Sequence, residues 1–414
     1  MVSASKAEVR SGTVGRAAAH GVEADAAEGA EPEAGGRIDQ AGETRLASME
    51  SLRALAAVAV LVSHVFGFAY LWGPAIYGGF LHRVLLGGGF AVFLFFALSG
   101  YLLYLPFARR DFGAGTSIRL SRYLGNRAVR ILPLYYAVLI VVLLTTQHGG
   151  TFDQWWRFAV FGESFSRHTV GTVDGPMWSL VVELHFYILL PVLAAAIRLL
   201  ARRSYLRAAL MLAVLAGASL GLRIALVVHP AHHDLRWEYS LPTTFLFFVS
   251  GLALALVRVR WEAGTPRWLA GPLQNGNTWL LASLPLWLLT FWRYDLDAVA
   301  ALASFLVVGS AALPLRRGRL VRGLDWRPLA VLGTASYSLY LWHMPIVQEV
   351  AGARWSPTGF LPLLAILLPL CIAVALVSYI AIESPFLRLR RSWSGRRHPS
   401  PAPAVTAAVG ATVT

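Results

Sequence analysis

The chain has 414 residues, of which 57% are hydrophobic and 14% are charged, and its formal net charge is +14. This composition excludes most soluble classes of protein and predicts an all-α, polytopic protein that lies largely within a lipid bilayer. The positive charge mainly orients the chain in the membrane and attracts anionic lipid. Binding to nucleic acid is a poor explanation of this charge.

Both ends of the chain are expected to be disordered. Residues 1–44 are rich in Ala, Gly and Glu without an apolar core of signal-peptide length, and residues 392–414 are rich in Arg, Pro, Ala and Thr. Neither segment can bury enough apolar surface to fold. Residues 45–391 are predicted to form one membrane domain between them. Its single cysteine, Cys371, offers no thiolate cluster for zinc, and no metal is expected.

Ten apolar segments follow one another in the membrane domain, each about the length that a spanning helix needs. They cover residues 52–72, 85–107, 131–147, 180–200, 206–228, 241–257, 277–292, 297–315, 331–351 and 360–383. Arginines concentrate in the loops after every second segment and in the C-terminal tail. Because such loops are cytoplasmic, we predict a bundle of about ten transmembrane helices with both termini in the cytoplasm.

The first segment contains an ionisable side chain, His64, inside an otherwise apolar run. The eleven steps from Arg53 to His64 place the imidazole roughly 16 Å along the helix, near the middle of a hydrocarbon core of roughly 30 Å. An ionisable group at that depth is costly and indicates a function. Because the ordinary pKa of a histidine side chain lies close to neutral pH, His64 suggests proton-handling chemistry or a proton path.

The loop before the third segment is the most basic part of the chain. In NRAVRILPLYY, Arg127 and Arg130 are three residues apart at the start of a helix, so both guanidinium groups can face one way. Two such groups suit the phosphates of a cytosolic acyl or nucleotide donor. The alternative is that they serve only to orient the chain.

The fourth segment opens with GPMWSLVVELHFYILLP, in which Glu183 lies five residues below the boundary marked by Trp178. A carboxylate at that depth needs a partner, and Phe186 and Tyr187 share its helix face, whereas His185 points away. Glu183 can be a structural hydrogen-bonding group. It can also orient or raise the pKa of a histidine, or take a proton itself.

The ninth segment contains His343 in TASYSLYLWHMPI, at a depth close to that of His64. The two histidines can line one cavity, although a satisfied structural histidine is an equally good reading of His343. Arg223 and Glu383 lie near helix ends and are expected to reach the membrane surface, so we assign them no role.

Six blocks in the correct order resemble the acyltransferase-3 family of integral-membrane O-acyltransferases. The blocks are SLRALAAVAVLVSH, FFALSGYLL, RYLGNRAVRILPLYY, GPMWSLVVELHFYILLP, YSLYLWHMPI and IESPFLR, over roughly residues 45 to 390. The resemblance implies a ten-helix bundle that transfers an acyl group from cytoplasmic acyl-coenzyme A to a hydroxyl. One departure is visible, because a polar Glu-Gln pair is common in the fourth block, which here reads Glu183-Leu184-His185.

The resemblance also assigns roles to residues. It implies that His64 is the catalytic centre, that Arg127, Arg130 and Arg53 act on the donor, and that Glu183 matches the glutamate of the family's Trp-Ser-Leu block. We expect Glu183 to act with His64 in catalysis. The substrate cavity is expected to include His343, Tyr337, Trp178, Ser179 and Tyr187.

The expected reaction moves an acyl group, acetyl by default, to a hydroxyl of a carbohydrate or a macrolide-type metabolite in the bacterial cytoplasmic membrane. His64 acts either as a general base on the acceptor or as a nucleophile that forms an acyl-histidine. The expected partners are acyl-coenzyme A, a hydroxylated acceptor and the lipid bilayer. The competing function is a proton-coupled transporter, to which intramembrane His, Glu and Arg are equally natural.

Overall fold

Helices make up the regular structure of the residues that the computed structural model describes, which are 31–72, 79–228, 234–264, 271–293 and 296–393. The first eight are α1 Glu31–Trp72, α2 Phe80–Gly87, α3 Val92–Phe112, α4 Leu120–Leu144, α5 Phe152–Ala159, α6 Met177–Ala201, α7 Tyr205–Arg223 and α8 Leu235–Glu238. The others are α9 Leu241–Glu262, α10 Gly276–Trp292, α11 Asp297–Ala312, α12 Arg319–Gly323, α13 Arg327–Thr334, α14 Ser336–Gly352, α15 Phe360–Ser378 and α16 Ser384–Trp393. The prediction of an all-α fold is confirmed for this part of the chain.

The predicted terminal tails lie mostly outside the described residues, namely 1–30 and 394–414. Helix α1 begins at Glu31 and therefore inside the segment that the sequence predicts to be disordered. Ala and Glu in this segment are strong helix formers, although its glycines are not.

Seven stretches of described helix are long and apolar enough to cross a membrane. They are Arg45–Ala69, Phe80–Phe112, Leu120–Leu144, Met177–Ala201, Tyr205–Leu226, Leu235–Glu262 and Phe360–Leu389. All ten predicted segments coincide with helices, but α10, α11 and α14 have only 17, 16 and 17 residues, fewer than the roughly 20 of a typical span. The count of about ten spans and the orientation of the termini stay predictions.

Helices α3 and α9 cross at a close backbone approach in the core. A Cβ atom on Gly251 would lie 2.0 Å from the Ala97 oxygen, and one on Gly100 would lie 2.4 Å from the Phe248 oxygen. Only glycine permits this approach of two backbones. Phe93 and Phe247 stack across the crossing with ring centroids 3.6 Å apart. The crossing fixes the position and rotation of α3. The buried Ser99 lies directly before Gly100 on this helix.

The prediction that Arg223 and Glu383 reach the membrane surface is wrong. Arg223 is 7% exposed, and its Nε lies 2.6 Å from Oδ2 of Asp297 in α11. Glu383 is 5% exposed and accepts a hydrogen bond of 2.5 Å from Ser338 Oγ. Each side chain turns inward because the fold supplies a polar partner there, which position near a helix end does not reveal.

Candidate active site

His64 and His343 meet although they are far apart in the sequence. Their ring centroids are 5.1 Å apart, and His64 Nδ1 lies 3.1 Å from His343 Nε2. The pairing follows from a shared apolar cluster of α1, α14 and α15, which holds these helices face to face. Its members include Ala57, Leu61, Val65, Leu339, Val347 and Leu367.

The hydrogen-bond network determines the tautomer of each imidazole in its neutral form. His343 Nδ1 lies 2.6 Å from the Tyr340 carbonyl oxygen, which can only accept, so His343 carries its hydrogen on Nδ1. His343 Nε2 therefore holds a lone pair and accepts from His64 Nδ1. Assigned in this way, the lone pair of His64 is on Nε2, the nitrogen that a base or a nucleophile would use.

His64 lines a cavity of about 300 Å³, which we call the histidine cavity. Trp178 and Tyr239 form one wall, with their rings stacked at 4.5 Å, and Val170, Gly171 and Gly175 contribute the loop before α6. His343 is 1% exposed and lies behind His64. Of the two histidines, His64 is thus the one that a molecule in this cavity can reach.

A second cavity, of about 280 Å³, brings the arginines together, and we call it the arginine cavity. Arg53, Arg127 and Arg130 line it with two carboxylates, Glu50 and Glu183. The three guanidinium groups make no hydrogen bond or ion pair within the described residues, and the buried Nε atoms of Arg53 and Arg127 have no partner there. Unsatisfied cationic donors at a cavity wall are suited to an anionic ligand.

Glu183 belongs to the arginine cavity rather than to the histidine pair. Its Oε1 accepts a very short hydrogen bond from Ser99 and one of 2.6 Å from the Tyr187 hydroxyl. It makes no hydrogen bond to His64 or His343. Its depth along the helix had suggested that Glu183 lies beside His64. Two side chains at equal depth can nevertheless point into different spaces.

Tyr340 and Val92 line both cavities and so form the wall between them. The Tyr340 hydroxyl lies 2.8 Å from Ser179 Oγ and 3.3 Å from the Pro176 oxygen. These bonds join α14 to the start of α6. A group that passes from the arginines to His64 has to cross at this wall.

The match to the acyltransferase domain covers residues 46–382 and therefore includes both cavities.

The chain belongs to the acyltransferase-3 family.

The curated relatives of this acyltransferase-3 chain include two peptidoglycan enzymes and a nodulation protein. The putative peptidoglycan O-acetyltransferase YrhL of Bacillus subtilis is 26% identical over 72% of this chain and 48% of its own length. The peptidoglycan O-acetyltransferase OatA of Listeria monocytogenes is 26% identical over 72% of this chain and 49% of its own. Nodulation protein 10 of Rhizobium leguminosarum is 26% identical over 84% of this chain and 95% of its own.

The chain thus spans about half the length of the two peptidoglycan relatives that it matches. No solved structure matches it.

The residues predicted from the acyltransferase-3 blocks divide between the two cavities. Arg53, Arg127, Arg130, Glu183, Ser179, Tyr187 and Tyr337 line the arginine cavity. His64 and Trp178 line the histidine cavity, and His343 supports His64. Three contributors were missed, namely Glu50, Ser99 and Tyr340. Ser99 and Tyr340 lie within quoted family blocks, so a search for polar residues in those blocks would have found them.

A buried carboxylate outside the spanning helices predicts a pH-dependent stability for the acyltransferase-3 domain. Glu163 is 1% exposed, neither carboxylate oxygen has a partner among the described residues, and burial raises its pKa to about 8. Because the unfolded chain releases this proton near its ordinary pKa, the native state loses stability as the pH rises from about 5 to 8.

We expect Glu163→Gln to remove this loss, which amounts to about 1.4 kcal/mol per pH unit within that window. Thermal unfolding midpoints at pH 5 and pH 8 in detergent measure this loss. At pH 8 the midpoint of the variant should rise relative to that of the wild type. Glu349→Gln removes the same charge from an exposed side chain and is the matched control. Parallel pH profiles for wild type and Glu163→Gln would contradict the prediction.

Proposed function

We propose that the protein is an O-acyltransferase of the bacterial cytoplasmic membrane. It transfers an acyl group, acetyl by default, from cytoplasmic acyl-coenzyme A to a hydroxyl of a carbohydrate or a macrolide-type metabolite. The observation that carries the proposal is the single wall between the arginine cavity and the cavity of His64. The O-acetyltransferase names of two relatives support the same chemistry.

Arg53, Arg127 and Arg130 would bind the phosphates of the donor, because planar guanidinium groups match phosphate oxygens with two parallel hydrogen bonds. Glu50 and Glu183 line the same cavity, so its charged groups are three cations and two anions. An incoming phosphate offsets the excess of positive charge, whereas a neutral ligand leaves it in place.

His64 would act as the general base. Its Nε2 takes the proton of the acceptor hydroxyl, and the oxygen attacks the thioester carbonyl of the donor. The tetrahedral intermediate then collapses with cleavage of the carbon–sulfur bond. The thiolate of coenzyme A leaves and receives the proton held by His64. The hydrogen bond of 3.1 Å to His343 keeps the other hydrogen of His64 on Nδ1, so that Nε2 is the nitrogen that gains and loses the proton.

The same lone pair also suits a two-step route, in which His64 Nε2 attacks the thioester and an acyl-histidine forms before the acceptor arrives. The two routes differ in their kinetics. A two-step route gives ping-pong kinetics and acyl label trapped on the protein without acceptor. Direct transfer gives neither.

The test uses purified protein in nanodiscs with labelled acetyl-coenzyme A and extracts of envelope glycans and secreted metabolites. We expect label to enter a hydroxylated compound only when protein, donor and acceptor are all present. A deletion strain should lack the corresponding acyl increment by mass spectrometry. Transport of a solute with no dependence on an acyl donor would instead support the proton-coupled transporter.

A further inference from the structure

A third pocket, of about 330 Å³, lies beside the histidine cavity, and we call it the aromatic pocket. The side chains that carry the argument are Phe165, His185, Arg236, Trp237, Tyr239 and Leu241. They come from the short 3-10 helix Glu163–Phe165 after α5, from α6, and from α8 and the start of α9.

The aromatic pocket presents large apolar side chains to its surroundings. Phe165 is 70% exposed and Trp237 is 44% exposed. The Phe165 ring lies against that of His185, with centroids 5.8 Å apart. A concave site lined by large aromatic groups is typical of a site that binds an apolar ligand.

The one arginine among the described residues that line the aromatic pocket is already paired. Arg236 Nη2 donates to Asp234 Oδ2 at 2.8 Å, and Arg167 donates to the same oxygen at 2.8 Å. These hydrogen bonds, led by those of Arg236, hold the pKa of the Asp234 carboxyl well below its usual range. With its guanidinium so engaged, Arg236 does not make the pocket an anion site, and an apolar surface remains for a ligand.

The aromatic pocket connects to the reacting group through one side chain. Tyr239 lines both this pocket and the histidine cavity, where its ring stacks on Trp178 at an interplanar angle of 10°. A ligand whose apolar part occupies the aromatic pocket can therefore place a neighbouring hydroxyl in the cavity of His64. His185 of α6 also lies in the wall of the aromatic pocket.

We propose that the aromatic pocket binds the apolar body of the acceptor, so that the acceptor is a neutral hydroxylated compound with an apolar part beside its reacting hydroxyl. Phe165 and Trp237 are its specificity-determining residues. This inference rests on the proposed acyl transfer, and it excludes a free, wholly polar saccharide as the preferred acceptor.

The experiment compares methyl and hexyl β-glucoside, which share one headgroup and differ only in apolar length. Binding is measured by calorimetry on the full protein in nanodiscs, with empty nanodiscs as the reference. We expect the hexyl compound to bind at least about tenfold more tightly, because each buried methylene adds to the affinity. The double variant Phe165→Ala, Trp237→Ala should lose that advantage.

The matched control is Phe152→Ala with Trp355→Ala, which removes the same residue types from positions that are 82% and 66% exposed elsewhere. It should retain the preference for the hexyl compound. Equal binding of the two glucosides, or equal loss in both double variants, would overturn the proposal. So would a phospholipid that copurifies with the wild type and the control but is absent from the Phe165, Trp237 variant.

Binding also separates this proposal from the proposed reaction. If hexyl glucoside binds as expected but no compound is acylated, the transferase proposal fails and the subsite stands. If acyl transfer occurs at equal rates to acceptors with and without an apolar body, the subsite fails and the transferase stands.

Discussion

His64→Ala is expected to lower the rate of acyl transfer by about 10³-fold, the middle of the range for loss of a general base. The change removes the nitrogen that accepts the acceptor proton and leaves the donor cavity intact. Initial rates with labelled acetyl-coenzyme A measure the effect. The donor KM should change little, because the arginines lie in the other cavity.

Three further variants test whether the loss of activity is specific to His64 and its partner. His343→Gln can still accept the hydrogen bond from His64 Nδ1 through its amide oxygen, so we expect a smaller loss, about tenfold. His343→Ala leaves His64 without that partner and should cost more. His82→Ala changes a histidine of α2 that lines neither cavity, and its rate should equal that of the wild type. Full activity in His64→Ala, with normal membrane insertion, would refute the assignment.

The helices were readable from the sequence, because hydropathy and spacing report position along a chain. What the sequence lacked was direction around each helix. His64 and His343 lie at similar depth and do meet. Glu183 was expected to act with His64, yet it faces the arginines and bonds to Ser99 and Tyr187. Depth alone could not separate these two outcomes.

Partners from distant helices explain the other differences. Arg223 is kept inside by Asp297, and Glu383 by Ser338, each supplied by a separate helix. Ser99 was missed because a serine in an apolar helix can bond to its own backbone, so only its place in a family block indicated a function. Here its hydroxyl reaches Glu183 instead, since the glycine crossing of α3 and α9 fixes the rotation of α3.

In the proposed reaction, the wall between the cavities would let one site serve two substrates that differ in charge. The arginine cavity has three cations, whereas the histidine cavity and the aromatic pocket beside it are lined largely by aromatic and small residues. Tyr340 separates these environments, and its hydrogen bonds to Ser179 and Pro176 keep them apart without ligand. A donor thioester that reaches His64 must displace this side chain or pass beside Val92.

Arg127→Ala is expected to raise the donor KM by about tenfold to a hundredfold, the loss of one or two charge-assisted hydrogen bonds to phosphate. The guanidinium lines the cavity with its buried Nε unpartnered, so its removal breaks no bond seen among the described residues. The variant should therefore fold normally. Arg119→Ala removes an exposed arginine at the start of α4 and is the control for the alternative that Arg127 only orients the chain.

A phosphate-free donor makes this prediction decisive. Acetylpantetheine carries the same thioester without the nucleotide phosphates, so Arg127→Ala should leave its KM unchanged while that of acetyl-coenzyme A rises. If Arg127 serves only to orient the chain, neither KM moves and the amount of inserted protein falls. If both KM values rise together, the arginine acts on the thioester end of the donor, and the phosphate assignment is wrong. A rise for acetyl-coenzyme A alone identifies the arginine cavity as the phosphate-binding part of the site.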